Sequence, residues 1–166
     1  MPNLAPVISV DRRASDAELS SLLCAVYVDG GFTAPEVAEQ IFAGPAVRAR
    51  GLLFTARDPD SDALLGMIIL VPPGIANRQV ATGAEAEVHL LAVLPTARRR
   101  GIARALVEAL IATAAAEGYQ RLVLSTQESM HAAHVVYEAA GFERTPARDW
   151  TRGGRHFLTY LKTLSS

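Results

Sequence analysis

The chain alternates between two hydrophobic periods, and the switches mark its elements. Leu19, Leu22, Leu23, Val26 and Tyr27 recur at three- and four-residue spacing behind Ser15-x-x-Glu18, a capping box, so a helix is expected from there to Gly30-Gly31. Thr33-Ala34-Pro35-Glu36 starts a second helix with proline in its first turn, expected to stop at Gly44-Pro45. Residues 6–10 form a short β-rich run ahead of both. Residues 51–57 and 63–71 read as two strands. Asp58-Pro59-Asp60-Ser61-Asp62 between them is turn chemistry, which makes a hairpin. Pro72-Pro73-Gly74 closes the second strand, and a polar loop runs to Gly83.

Residues 85–94 are a further strand. Ile102, Leu106, Ala109, Leu110 and Thr113 then form one face of a helix ending at Gly118. A buried-type strand at 120–125 precedes a helix over 129–140 with Ala133, Val136, Tyr137 and Ala140 on one face. Strands at 142–145 and 156–164 finish the chain, around a loop with Asp149, Trp150 and Gly153-Gly154. The order β-α-α-β-β-β-α-β-α-β-β predicts a single α/β (α+β) domain over residues 1–166 with a mixed sheet.

Composition narrows the class. A chain of 166 residues, half of them apolar, can bury about 70 % of its unfolded surface. A formal net charge of −1 argues against a general nucleic-acid binder. Nothing in MPNLAPVISVDRR resembles a secretion signal, and no apolar run nears the ~20 residues that span a bilayer. A cytoplasmic protein with no membrane partner is expected. Cys24 is the sole cysteine, so no internal disulfide or multi-cysteine metal site forms; inside an apolar helical face it reads as filler.

One stretch stands out chemically. Arg98, Arg99, Arg100 and Arg104 crowd the start of the helix after the 85–94 strand, where the helix dipole favours acidic residues instead. Cations there make electrostatic sense if an anion occupies the helix start, where unpaired N–H groups also point. No G-K-[S/T] follows, which excludes a P-loop NTPase. Arg98-Arg99-Arg100-Gly101-Ile102-Ala103 fits [Q/R]-x-x-G-x-[G/A] and resembles the acetyl-CoA pyrophosphate loop of the GNAT superfamily of N-acetyltransferases. Downstream, A-x-x-x-Y-x-x-x-G-F occurs as Ala133, Tyr137, Gly141 and Phe142, like the family's second cofactor-side helix. The element order matches from about residue 7 to 164.

The resemblance implies a central, mostly antiparallel mixed sheet of about seven strands flanked by about four helices. It also implies an acyltransferase that moves the acetyl group of acetyl-CoA to a primary amine, on a small molecule or a protein, by direct attack in a ternary complex. No metal is implied. The backbone of Arg99, Arg100, Gly101, Ile102, Ala103 and Arg104, with the arginine side chains including Arg98, would hold the pyrophosphate. Leu91, Ala92 and Val93 would bulge and offer N–H groups, Val93 foremost, to the acetyl oxygen and pantetheine arm. Tyr137 is the candidate acid at the sulfur and Glu87 the candidate base. Glu85, Glu87 and His89 share a face by period two, which makes His89 the rival base. Tyr27, Phe32, Asp149 and Trp150 would border the acceptor pocket, and carboxylates near the site would favour a cationic amine. Met130 stands where many members carry an asparagine, a contact for Ser129 or Thr126-Gln127-Glu128 to replace. An exposed edge on the terminal strand would suit a homodimer. The competing reading is an acyl-CoA sensor that binds the cofactor without turnover.

Overall fold

The computed structural model describes residues 4–74 and 79–164. Residues 75–78, part of the loop expected after Gly74, and the terminal residues 1–3 and 165–166 lie outside the described residues. Every strand-patterned stretch joins one sheet. The strands are β1 (Val7–Val10), β2 (Leu52–Arg57), β3 (Leu64–Val71), β4 (Ala86–Val93), β5 (Arg121–Gln127), β6 (Glu143–Arg144), β7 (Trp150–Arg152) and β8 (Arg155–Thr163). They lie in the order β1-β2-β3-β4-β5-β8-β6, with β7 also on β8. Among the described residues only β4 and β5 pair in parallel; the other pairs are antiparallel.

Two apolar layers cover the sheet. On one face, α1 (Asp16–Leu23), which widens into a π-helical turn at Cys24–Val28, packs with α2 (Pro35–Ile41) and α3 (Gly44–Arg48) around Leu19, Leu23, Phe42, Met67 and Ile69. On the other, α4 (Ile102–Ala116) and α5 (His131–Ala139) bury Ile102, Leu106, Leu110 and Tyr137 against Ile68, Val88 and Leu124. Each such side chain contributes about 1.5–3 kcal/mol on leaving water. Gly66 in β3 makes room for α4, since a Cβ there would stand 3.2 Å from Ile102 and from Leu106.

The capping box forms as expected: Ser15 Oγ accepts from Glu18 N at 3.1 Å, and Glu18 Oε1 accepts from Ser15 N at 3.0 Å. Three details differ from the sequence pattern. Gly44-Pro45 starts α3 instead of only ending α2, because proline's fixed φ suits a first turn. β7 is too short at three residues to show any alternation. The terminal strand β8 is interior to the sheet instead of at its edge, with β5 on one side and β6 and β7 along part of the other.

Candidate active site

The sheet opens at the parallel β4–β5 junction. β4 and β5 pair only at Ala86–Leu122 and Glu87–Val123, and then part. On its other side β4 is bulged: Ile69 faces His89 and Met67 faces Ala92, so Ile68 alone spans Leu90 and Leu91. Leu90, one of the two residues opposite Ile68, takes a φ of 53°, a left-handed conformation uncommon for a residue other than glycine. The irregularity thus falls at Leu90–Leu91, at the leading edge of the Leu91-Ala92-Val93 stretch. Leu94 N donates to Leu65 O of the β3 side at 2.8 Å. By strand alternation the Val93 N–H therefore points toward β5, where β4 has lost its partner.

The arginine turn follows at the end of β4. Arg99 (φ 64°) and Gly101 (φ 72°) are both left-handed, and Gly101 caps α4 without any side-chain hydrogen bond to the first turn. A Cβ on Gly101 would meet nothing within 4 Å, so the backbone conformation itself is what calls for glycine. No acidic residue occupies the first turn. Arg98, Arg99 and Arg100 make no salt bridge among the described residues, while Arg104 is held by Glu108 at 2.9 Å. Open N–H groups at a helix start, next in sequence to guanidinium groups without a salt bridge among the described residues, fit a diphosphate.

A cavity of about 650 Å³ lies where the strands part, and His89, Leu91, Tyr137 and Tyr27 are among the residues that line it. Tyr27, delivered by the π-helical turn, donates to Leu91 O at 2.9 Å. The Tyr137 ring sits edge-on to Phe142, whose N–H donates to Tyr137 O, so the Y-x-x-x-G-F spacing brings the two rings together. The Tyr137 hydroxyl makes no hydrogen bond among the described residues. Burial, reinforced by Tyr27, pushes its pKa up, so it stays protonated.

Glu87 and His89 do touch, but their surroundings differ. Glu87 is 1 % exposed and does not line the cavity. Its Oε1 accepts from Val80 N and Ala81 N at 2.7 Å, and its Oε2 accepts from Gln79 N at 2.8 Å and from His89 Nε2. Burial opposes its charge, yet His89 and those backbone donors outweigh it and hold the carboxyl below its usual range. An ionised Glu87 keeps the proton of His89 on Nε2, so Nδ1 carries the lone pair. That nitrogen lies 3.3 Å from Arg50 Nη1. Arg50 is the residue the sequence did not announce; it sits in the connection before β2, outside any motif. Glu85, third on the same face, is paired with Arg148 at 2.8 Å and helps pin residues 80–82.

Other expected contacts are spoken for. Gln127 holds Phe32 O and Arg155, His134 contacts Gln127 O, and Asp149 pairs with Arg144. Met130, Thr126, Phe32 and Trp150 do line the cavity. No cluster of His, Cys, Asp and Glu able to hold a metal ion occurs among the described residues, and no helix among them is long and apolar enough to cross a membrane.

Parted parallel strands with a cavity at their opening, followed by an open helix start, mark the fold and site of one domain family. The chain belongs to the acetyltransferase (GNAT) family, which it matches over residues 18–142. The turn and the parted strands fit a CoA thioester. Among solved structures it resembles a GNAT-family acetyltransferase of Staphylococcus aureus (TM-score 0.76, 15 % identity, 97 % of this chain and 100 % of that one). It also resembles a Bacillus subtilis acetyltransferase in complex with CoA (0.68, 19 %, 96 % and 99 %). A third is the ribosomal-protein-S18-alanine N-acetyltransferase of Escherichia coli (0.68, 21 %, 97 % and 95 %). These likenesses concern the fold. N-acetyltransferase family 8 member 3 of Mus musculus is 34 % identical over 67 residues, 40 % of this chain and 26 % of that protein. The match thus spans about a quarter of the mouse relative's length.

Proposed function

We propose that residues 1–166 form one N-acetyltransferase domain that acetylates a primary amine by direct attack. The observation that carries this is the cavity at the β4–β5 parting, which brings a histidine lone pair and an unengaged phenol together beside unpaired strand N–H groups. Bound acetyl-CoA supplies the acyl carbon and the thiolate leaving group. The N–H groups and arginines of residues 98–104 hold the pyrophosphate, and the Leu91 to Val93 edge receives the pantetheine arm and the carbonyl oxygen.

An alkylammonium, with a pKa of about 10.4, must lose a proton before it attacks. His89 Nδ1 takes that proton, and Glu87 steadies the imidazolium from the far side. Glu87 is therefore a positioning residue in this reading, because its oxygens are already occupied. As the N–C bond forms and the C–S bond breaks, the second nitrogen proton ends on sulfur. Tyr137 donates a hydrogen bond to the departing sulfur; burial disfavours its phenolate, so it does not ionise.

Calorimetric titration of acetyl-CoA and desulfo-CoA tests the cofactor half, on wild type and Gly101→Glu. Wild type binds both, and the variant, with a carboxylate forced into a left-handed position, binds neither. A wild type that binds neither overturns the reading. Binding without turnover on any amine would instead mark a sensor, the role toward which Met130 leans.

A further inference from the structure

The charged side chains that line the cavity are cationic, contrary to the carboxylates expected near the site. Arg50, Arg152 and Arg155 line it with His89, and no Asp or Glu does. Residues 1–3, 75–78 and 165–166 contain no Asp or Glu either. Glu87, behind His89, has both oxygens filled by four donors. Arg155 spends its contacts on neutral acceptors, Gln127 Oε1 at 3.0 Å and Gly31 O at 3.3 Å.

Arg50 is the sharpest case. It is half-buried, has no salt bridge among the described residues, and rests on His89 Nδ1 at 3.3 Å and Ile41 O at 3.4 Å. Desolvation lowers its pKa, only partly offset by Tyr27 and Glu87. A desolvated guanidinium facing a cavity without a counter-charge is costly until an anion joins it. The pyrophosphate is not that anion, since none of Arg98 to Arg104 lines this cavity.

We propose that the acceptor is an α-amino acid whose carboxylate is held by Arg50. This rests on the transferase reading above. The proton-accepting atom and the anion-holding atom are neighbours, so the amine and the carboxylate must be neighbours on the substrate, and in an α-amino acid one carbon joins both. A polycationic amine would meet Arg50, Arg152 and Arg155 with no compensating charge. The arrangement also couples binding to chemistry. Arg50 donates to Nδ1 until a carboxylate draws it away, and the freed lone pair then accepts the ammonium proton. Phe32, Val37 and Ile41, with Trp150 stacked on Phe157 at 4.2 Å, add an apolar part to the lining that suits an apolar side chain.

The test is CoA-thiol release from acetyl-CoA with matched acceptors: phenylalanine against phenethylamine and phenylalanine amide, leucine against isoamylamine, and spermidine. Wild type should favour each amino acid over its decarboxylated partner by about 100-fold or more in kcat/KM, because a site built for a polar group rejects analogues lacking it. Arg50→Gln should abolish that preference while acetyl-CoA affinity stays unchanged, and Arg50→Lys should restore part of it. Equal turnover of phenethylamine or spermidine, or a preference that survives in Arg50→Gln, overturns the carboxylate inference alone. No turnover of any amine despite acetyl-CoA binding overturns the transfer reading with it.

Discussion

His89 is held from two sides, by an ionised carboxylate on Nε2 and a guanidinium beside Nδ1, and its chemistry follows from that pairing. Replacing it with glutamine should cut kcat by about 10²–10⁴, the usual weight of a positioned base, while the Kd for acetyl-CoA is kept. Rapid-quench turnover beside calorimetry measures both; a kcat within threefold of wild type excludes His89 as base. Glu87→Gln should act indirectly. An amide cannot accept from Gln79, Val80, Ala81 and His89 at once, so activity should fall about 10–100-fold and the loop over 79–81 should loosen. Hydrogen exchange at those amides reports the loosening, which a direct proton-accepting role for Glu87 would not require. The shared face of Glu85, Glu87 and His89 was legible from period two. That Glu87 spends its oxygens on a loop six to eight residues upstream was not, because backbone donors leave no mark in side-chain spelling. Arg50 carried no signal at all: its meaning lies in what it faces.

At the scale of elements, the turn into α4 and the anchoring of α1 are separable devices. Gly101→Ala retains open space around the new methyl but must hold an L residue in the left-handed region, at a cost of about 1–2 kcal/mol. A modest fall in Tm together with weakened acetyl-CoA binding is the expected result. On the other face, Asp11 Oδ2 accepts from Thr55 Oγ1 at 2.7 Å and Arg57 Nε at 2.9 Å, and Arg57 Nη1 reaches Glu18 at 2.8 Å. This cluster seats the start of α1, whose continuation delivers Tyr27 to the bulge. Arg57→Met would strand a carboxylate whose side chain is 2 % exposed, so a loss of about 3–5 kcal/mol in chemical denaturation is expected. A loss under 1 kcal/mol would show the cluster to be dispensable. The α1 capping box and the helical face of α4 were plain in the spacing. The β4 bulge was inferred through family likeness, and its placement at Leu90–Leu91 came only from the pairing with β3.

For the whole molecule, the carboxylates that tie distant elements set its response to acid. Asp11 is held at about 2: burial works against its charge, but Thr55, Arg57 and the Arg13 N–H outweigh it. Glu85 is held at about 2, chiefly by Arg148. Both folded values lie below the unfolded ones near 4, so their stabilisation is complete above about pH 5 and lost as pH falls toward 2, on the order of 2–3 kcal/mol each. Urea midpoints measured from pH 6 to 3 should fall steeply, and Asp11→Asn should flatten that slope; an unchanged slope would refute the role given to Asp11. The sequence by itself determined the succession of strands and helices, the arginine turn at the start of α4 and the family, because periodicity, capping and turn chemistry act between residues close along the chain. Only the tertiary structure decided that β8 is interior, that β4 and β5 part beyond Glu87, and that Tyr27, Arg50, His89 and Tyr137 share one cavity. Those facts depend on strand order and register, which bring together residues tens of positions apart, and no local pattern encodes that distance.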